Sequence, residues 1–482
     1  MNKTIVFHYV SRATLYGSAL FLLPALVSLY YGEKDIVLTF LIVAAAVAMI
    51  STPLAIIKPK NKKMYNREAL VIAAFLWVIF PLLGALPFYI SGAIPSFVDS
   101  VFESVSGFTT TGSSILSQVE SLPRGILFWR SFTHWVGGMG VLVLLIAILP
   151  SSSSHAMALM RAECAGPQVG KIVPKGRNSA AVLYIMYAAL TLVLVILLVA
   201  GGMPFFDSVC NAMGTAGTGG FSVRNGGIAD YDSTYLEAVL TGGMIAFGVN
   251  FSLYYFILVR RFKDAFKNSE LRAYIAILLI AMIAVGINIY PVYGSVLKCI
   301  RYSAFQVASI MTSTGFATAD FCTWPMLSQM ILVILMFIGA CGGSTGGGFK
   351  VQRVLITYKS ASRYLKKTVH PNSVKLIKSD DKAMDLDTVH GVLNYLVIYI
   401  GILLVSMLLI AANNGDFTTA STSVITCMNN IGPGLGNVGP MSNFGFYSDF
   451  SKCVLSVDML LGRLECLPLV ILISPSVWRK KF

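Results

Sequence analysis

Charge is scarce in this chain. Only 12% of its 482 residues are Asp, Glu, Lys or Arg, where a soluble domain carries about 25%. With 56% hydrophobic residues and a mean hydropathy of +0.74, this excludes a soluble globular class. It predicts an all-α polytopic membrane protein. Paired cysteines are also missing. Cys164, Cys210, Cys299, Cys322, Cys341, Cys427, Cys453 and Cys466 are scattered, with no CxxC spacing. They read as free buried thiols rather than a disulfide or metal framework. The five histidines are equally dispersed, so no metal cofactor is expected. A cleavable signal peptide is not expected either, since Met1 to Arg12 lacks an apolar core followed by a small-residue cleavage site. No catalytic triad or carboxylate pair stands out. A membrane enzyme would need an intramembrane nucleophile with its base, and none is visible.

The charge that is present is uneven. The formal net charge is +14, yet most Lys and Arg sit in six stretches: Lys3 to Arg12, Lys58 to Arg67, Arg161 to Arg177, Arg260 to Arg272, Lys350 to Lys382 and Arg479 to Lys481. Between them lie apolar segments of spanning length, about 20 residues each. This alternation follows the positive-inside rule. It places both termini in the cytoplasm, makes the surplus charge a topology signal, and argues against a nucleic-acid partner. Ten segments qualify as spans, at 13–31, 36–57, 68–90, 125–149, 180–203, 233–259, 272–292, 325–352, 389–412 and 449–476.

The first two spans form a plain hairpin within 1–66. The other eight form four pairs, within 67–178, 179–268, 269–384 and 385–482. Inside each pair lies a short semi-polar run, then a Gly-centred stretch. The runs are Asp99 to Ser106, Phe206 to Ala216, Tyr302 to Met311 and Asp416 to Met428. Each is too short to cross a bilayer, so it must re-enter on the side it came from, which the topology makes extracellular. The stretches that follow centre on Gly107 to Ser113, Gly217 to Ser222, Thr312 to Thr318 and Asn429 to Gly434. One such stretch alone reads as a turn. Four at equivalent places read as a pore lining. Glycine lets backbone carbonyls approach a large monovalent cation and replace its hydration shell. The short helices would aim their partly negative carboxyl ends at the same axis. Thr109, Thr110, Thr111 and Thr314 are placed to add hydroxyl oxygens.

A further glycine-rich interruption, Gly339 to Gly348, breaks the eighth apolar segment. Irregular backbone at membrane depth survives only inside protein or beside a water-filled cavity. A flexible element in a polar pathway is expected here. The stretch is not a nucleotide P-loop: Phe349 separates Gly348 from Lys350, and Val351 stands where Ser or Thr is required.

Several stretches together resemble a known family. They are Phe102 to Leu116, His134 to Pro150, Gly219 to Ser222, Thr314 to Thr318, Phe337 to Lys350, Asn429 to Gly436 and Leu461 to Glu465. The chain is similar, over nearly its whole length, to the Trk/Ktr/HKT superfamily of potassium transporters, and within it to the TrkH family of bacterial Trk membrane subunits. The resemblance implies one selectivity-filter glycine per repeat, matching Gly112, Gly220, Gly315 and Gly432, with Gly219 a competitor for Gly220. Some plant relatives with sodium preference carry Ser at the first position, so Gly112 favours potassium. The expected ion-binding set is Thr110, Thr111, Gly112, Thr218, Gly219, Gly220, Thr314, Gly315, Phe316, Ile431 and Gly432, with potassium as the substrate ion. Discrimination against sodium is expected to be real but modest.

The resemblance further implies an intramembrane gating loop beneath the filter, formed by Gly342, Gly343, Ser344, Thr345, Gly346, Gly347 and Gly348, with Lys350 behind it. It places Arg463 in the conduction path below the filter, as a barrier. A cation inside a membrane helix costs about 2.5–3.5 kcal/mol on insertion scales and usually faces a pore or a partner. The plainer alternative pairs Arg463 with Glu465 or Asp458. Arg130 is expected to snorkel, or to pair with an acid such as Glu103. The basic run from Lys350 to Lys382 reads either as a topology anchor or as a docking surface. Resemblance to Trk subunits implies the second: a homodimer in the bacterial inner membrane, docked on a ring of TrkA-type subunits. Nucleotide (ATP/ADP or NAD) would bind those regulators, and no cofactor is expected in this chain. The competing transporter reading is a secondary cation symporter with broken helices. It predicts inverted repeats, whereas the four repeats here share one orientation.

Overall fold

The computed structural model describes residues 1–57, 59, 64–140, 159, 176–373, 376–380, 382–413, 416–473 and 475–478. Several expected features lie wholly or partly outside them: much of the basic stretches 58–67 and 161–177, residues 141–149 of the fourth span, Lys375, Cys164, and the basic carboxyl terminus.

The regular structure of the described residues is helical, apart from one two-residue ladder. It pairs Lys378–Ser379 antiparallel with Lys382–Ala383. Among the described residues, six helices are long and apolar enough to cross a membrane: Lys3–Tyr30, Lys34–Ile56, Asn66–Ile90, Ala180–Ala200, Ser269–Asn288 and Leu386–Ala411. They are the amino-terminal hairpin and the first helix of each repeat. Their outward faces carry exposed apolar side chains such as Met49, Ile196, Ile280 and Leu408. Lipid tails accept such a surface where water would not.

The second helix of each repeat departs from a straight span. In the first, Arg124–Met139 stops at Gly140, with φ +94°. In the second, Thr234–Phe247 and Phe251–Leu258 meet at 93°, with the Asn250 side chain capping the new helix by accepting the Ser252 N–H at 2.8 Å. In the third, Met326–Ile338 ends at Gly339 and helix resumes only at Val351–Val369. In the fourth, Asp449–Arg463 ends before Glu465 and Cys466, both at positive φ. The segments at 125–149, 233–259, 325–352 and 449–476 are therefore interrupted rather than continuous. Hydropathy could not reveal this, because the breaks lie within apolar sequence.

Between the two helices of each repeat stands a helix of 12 to 16 residues: Phe97–Phe108, Phe205–Gly217, Val296–Met311 and Phe417–Met428. Their starts carry recognisable stop-and-start chemistry. Ser96 accepts the Asp99 N–H, Pro204 precedes Phe205, and Asp416 accepts the Thr418 and Thr419 N–H groups. Those bonds, led by the Thr419 hydroxyl, hold the Asp416 carboxyl below its usual range. Each short helix packs against the second helix of the neighbouring repeat. The fourth repeat closes on the first, where Asp449–Arg463 lies along Phe97–Phe108 and Lys452 Nζ meets Asp99 at 2.5 Å.

Candidate functional site

The four short helices end in the same way. Each runs into a non-glycine residue in the left-handed region: Thr110 (φ +56°), Thr218 (+54°), Ser313 (+59°) and Asn430 (+54°). The N–H of that residue reaches back three positions, at 3.1, 3.1, 3.1 and 3.2 Å. The next N–H reaches back five: Thr111 to Ser106 at 2.9 Å, Gly219 to Gly214 at 2.8 Å, Thr314 to Ser309 at 2.8 Å and Ile431 to Thr426 at 2.9 Å. This is the Schellman pattern of bonds that satisfies the last helical carbonyls. Then comes a glycine at positive φ: Gly112 (+80°), Gly220 (+75°), Gly315 (+81°) and Gly432 (+99°). The backbone thus puts Gly220, not Gly219, in register with the other three. Gly219 instead packs against the His134 ring, leaving no room for a side chain.

These glycines interlock. A Cβ added to Gly112 would overlap the Gly219 carbonyl oxygen, one on Gly220 the Thr314 oxygen, and one on Gly315 the Ile431 oxygen. On Gly432 it would lie 2.8 Å from the Thr111 oxygen. The contacts run from the first segment to the second, third, fourth and back to the first. Four carbonyls and four glycines therefore form one closed ring. Above it opens a mouth of about 810 Å³ of empty space, lined in part by Ser113, Arg130, Phe221, Arg224, Phe316, Pro433 and Phe444.

The ring is braced from behind. His134 Nδ1 lies 2.8 Å from the Gly107 carbonyl, which can only accept. That fixes the proton on Nδ1 and leaves Nε2 to accept the Phe221 N–H at 3.2 Å. One buried ring thereby joins the first and second segments. Arg130 pairs with Glu103 at 2.8 Å, also donates to the Ser222 carbonyl, and lies over the Phe221 ring at 4.2 Å. Pairing with Glu103 was one of its two expected fates. Glu103 accepts from Ser114 Oγ and the Ile115 N–H as well. At the mouth, Asp207 accepts from Arg224 and Tyr231. The Tyr231 hydroxyl first, and the Asp207 carboxylate second, push the Arg224 pKa up.

The threonine hydroxyls below the glycines are hydrogen-bonded within and between segments. Asn430 Nδ2 donates to Thr111 Oγ1 at 2.9 Å, Thr111 meets Thr109 at 2.8 Å, and Thr109 donates to the Val105 carbonyl at 2.7 Å. Thr314 meets Thr312 at 2.8 Å in the same manner. Thr218 Oγ1 bonds its neighbouring Gly217 carbonyl at 2.6 Å. Phe316 accepts from Ser309 Oγ through its backbone and packs its ring against Gly214.

On the other side of the ring lies the Gly-rich loop. The Gly342 N–H donates to Glu270 at 2.6 Å. Gly343 accepts from the Phe251 N–H at 3.0 Å, at the bend of the second repeat. Ser344 Oγ closes on the Cys341 carbonyl at 2.6 Å. Thr345 Oγ1 donates to Phe247 at 3.2 Å, and the Gly347 N–H to Ser313 Oγ at 2.5 Å. Gly346 presses on Thr312, Gly347 on Asn429, and Gly348 on Gly339. Lys350 folds its ammonium back onto the Gly346 carbonyl.

Arg463 stands beside this loop. Its guanidinium donates to the Thr345 carbonyl at 2.8 Å and to the Gly137 and Gly138 carbonyls at 2.5 and 2.6 Å, and it reaches Thr110 Oγ1 at 3.4 Å. The two acids of the plainer alternative have other partners. Glu465 pairs with Arg353, and Asp458 accepts from Ser406 Oγ at 2.6 Å. Arg353 thus departs from the solvated basic run in which sequence placed it. It is buried and lies 4.4 Å over the Tyr395 ring.

A family model described as TrkH, cation transport protein, matches residues 36–480. The chain belongs to the TrkH family. It is 34% identical over 488 residues to the Trk system potassium uptake protein TrkH of Salmonella typhimurium, and 35% identical over 488 residues to that of Escherichia coli K12, covering 100% of both chains in each case. To the Trk system potassium uptake protein TrkG of Escherichia coli K12 it is 30% identical over 464 residues, 95% of this chain and 94% of the relative. The crystal structure of the potassium transporter TrkH from Vibrio parahaemolyticus superposes with a TM-score of 0.89, at 31% identity, over 99% of this chain and 100% of that one. The all-α, multi-span membrane architecture expected from sequence is thereby established as that of TrkH.

Three site contributors escaped the sequence reading. His134 lay inside a recognised stretch but carried no spacing signal. Asn430 lay inside the fourth Gly-centred stretch but was given no role of its own. The Arg353–Glu465 pair joins residues 112 positions apart, across a break that hydropathy does not register.

Proposed function

We propose that this TrkH-family chain takes up potassium across the bacterial inner membrane through a channel-like pore, with the ring of Gly112, Gly220, Gly315 and Gly432 as its selectivity filter. The carrying observation is the closure of that ring: each glycine abuts the next segment's carbonyl, and none has space for a side chain. Oxygens held at fixed spacing can replace a cation's water shell. Support for potassium comes from the named relatives, which are potassium uptake proteins.

In this reading the Gly342 to Gly348 loop is the gate and Arg463 guards it. A cation passing the ring would meet a loop and a guanidinium bonded to carbonyls of two other segments. The chain would work as a homodimer with both termini in the cytoplasm. TrkA-type cytosolic subunits, carrying the nucleotide, would act on the loop through the linker beyond Lys350. Radiotracer rubidium uptake in a potassium-uptake-deficient bacterium tests the core of this proposal. Uptake that restores growth at low potassium supports it, and no uptake despite normal membrane insertion refutes it. Discontinuous helices also serve secondary symporters. Uptake that collapses with the proton gradient at fixed membrane potential would favour symport instead.

A further inference from the structure

The left-handed position below the ring carries four side chains, and they are used differently. Thr218 turns back on its own segment. Thr110 receives Arg463. Asn430 bonds Thr111 of the first segment and the Met459 carbonyl. Ser313 reaches the Gly-rich loop. Its Oγ donates to the Thr312 carbonyl at 2.6 Å and accepts the Gly347 N–H at 2.5 Å. The residue is buried, and the loop is pressed so closely here that neither Gly346 nor Gly347 could carry a Cβ without displacing backbone.

We propose that Ser313 is a positioning residue that ties the gating loop to the third filter segment, so that the state of the loop sets selectivity as well as flux. The inference rests on the reading of the ring as filter and the loop as gate. A serine hydroxyl has one proton, and here it goes to Thr312. The lone pairs are left for the loop N–H. Left-handed backbone at a non-glycine residue persists only when its surroundings over-determine it. At Ser313 the loop supplies part of that determination. The next residue is Thr314, whose carbonyl abuts Gly220 in the ring. When the loop withdraws, Ser313 loses a partner, its backbone relaxes, and the Thr314 carbonyl is re-aimed.

The test compares wild type with Ser313→Gly and Ser313→Thr in the full chain. Glycine tolerates φ +59° without strain but does not enforce it, so Ser313→Gly removes the hydroxyl, keeps the fold and leaves the backbone free to relax. Threonine keeps the hydroxyl, and Thr110 and Thr218 hold the same conformation. Hydrogen exchange across the loop amides reads the tether directly. Rubidium flux and the rubidium-over-sodium permeability ratio in proteoliposomes read its consequence. For Ser313→Gly, the worth of one hydrogen bond predicts loop exchange and basal flux roughly threefold to tenfold faster, with the permeability ratio falling by a similar factor. Ser313→Thr should restore all three. Unchanged loop exchange in Ser313→Gly overturns the tether. Faster exchange and flux with an unchanged ratio overturns the coupling to selectivity, as does a changed ratio that threonine fails to restore. A wild-type chain that passes no rubidium refutes the proposed function, while loop exchange still decides the tether.

Discussion

Gly315 shows how one residue type serves two demands at once. Its φ of +81° is open to glycine, and a Cβ there would overlap the Ile431 carbonyl. A left-handed L-residue costs about 1–2 kcal/mol before any collision. Gly315→Ser should therefore lower rubidium-over-sodium permeability by roughly tenfold or more, with expression intact. An unchanged ratio in liposome flux assays would remove Gly315 from the filter. Arg463 makes the opposite case, since its charge matters more than its shape. Arg463→Ala removes a cation from a low-dielectric path, where like charges repel far more than in water. It also frees the Thr345, Gly137 and Gly138 carbonyls. Single-channel conductance at low driving force is expected to rise. Normal protein yield with unchanged conductance would contradict the barrier role. Residues of these two kinds stand out in sequence, because a Gly-centred stretch repeated four times and an arginine in an apolar helix are conspicuous. The choice between Gly219 and Gly220 was not. Two adjacent glycines are chemically identical, and only the reach-back of the Gly219 N–H to Gly214 separates them.

At the scale of elements, the four second helices all break, but by different means. Gly140 and Gly339 end helices at positive φ, Asn250 caps a bend, and Glu465 with Cys466 turn the chain. Only the Gly339 to Gly348 break was legible, since six glycines in ten residues cannot hold a helix. The others lie in sequence whose apolar character continues across the break. Deleting Gly342 to Gly348 should raise basal flux and weaken control by the regulatory subunit. Flux of unchanged size that still depends on the regulator would show that the loop is no gate. The Arg353–Glu465 pair is the hidden join of this layer. It fastens the helix leaving the loop to the turn after Arg463. Breaking a buried pair from one side costs about 3–5 kcal/mol. Glu465→Gln should therefore lower thermal stability in detergent more than the double change Glu465→Gln with Arg353→Met. Equal losses would mean that the pair is not the cause.

Across the whole molecule, the four repeats form a ring, and a ring has a seam. Three of its four joints connect repeats that follow one another in the chain. The fourth joins the last repeat to the first, through residues more than 300 positions apart. There Lys452, nearly buried, meets Asp99, about a quarter exposed. Chain connectivity gives this joint no help, so non-covalent contacts must hold it, among them the Phe444 N–H on the Ser114 carbonyl at 2.8 Å. One of its bonds, Asn430 to Thr111, lies directly beneath the glycine ring. Fourfold order was legible from the repeated plan, but the identity of the seam bonds was not, because nothing in local sequence marks a partner so distant. Lys452→Met would leave Asp99 in a part-buried site without its cation. A hydrogen bond to a charged group contributes about 1.5–3 kcal/mol, and the exposure of Asp99 argues for the lower end. The midpoint of thermal inactivation should fall, and adding Asp99→Asn should recover part of the loss. Because the seam carries Gly432 against the Thr111 carbonyl, sodium leak should rise as it loosens, at temperatures below the loss of helical signal. Sodium leak and helical signal lost together would mean that the ring opens only by unfolding, and that Lys452 stabilises the fold without guarding the filter.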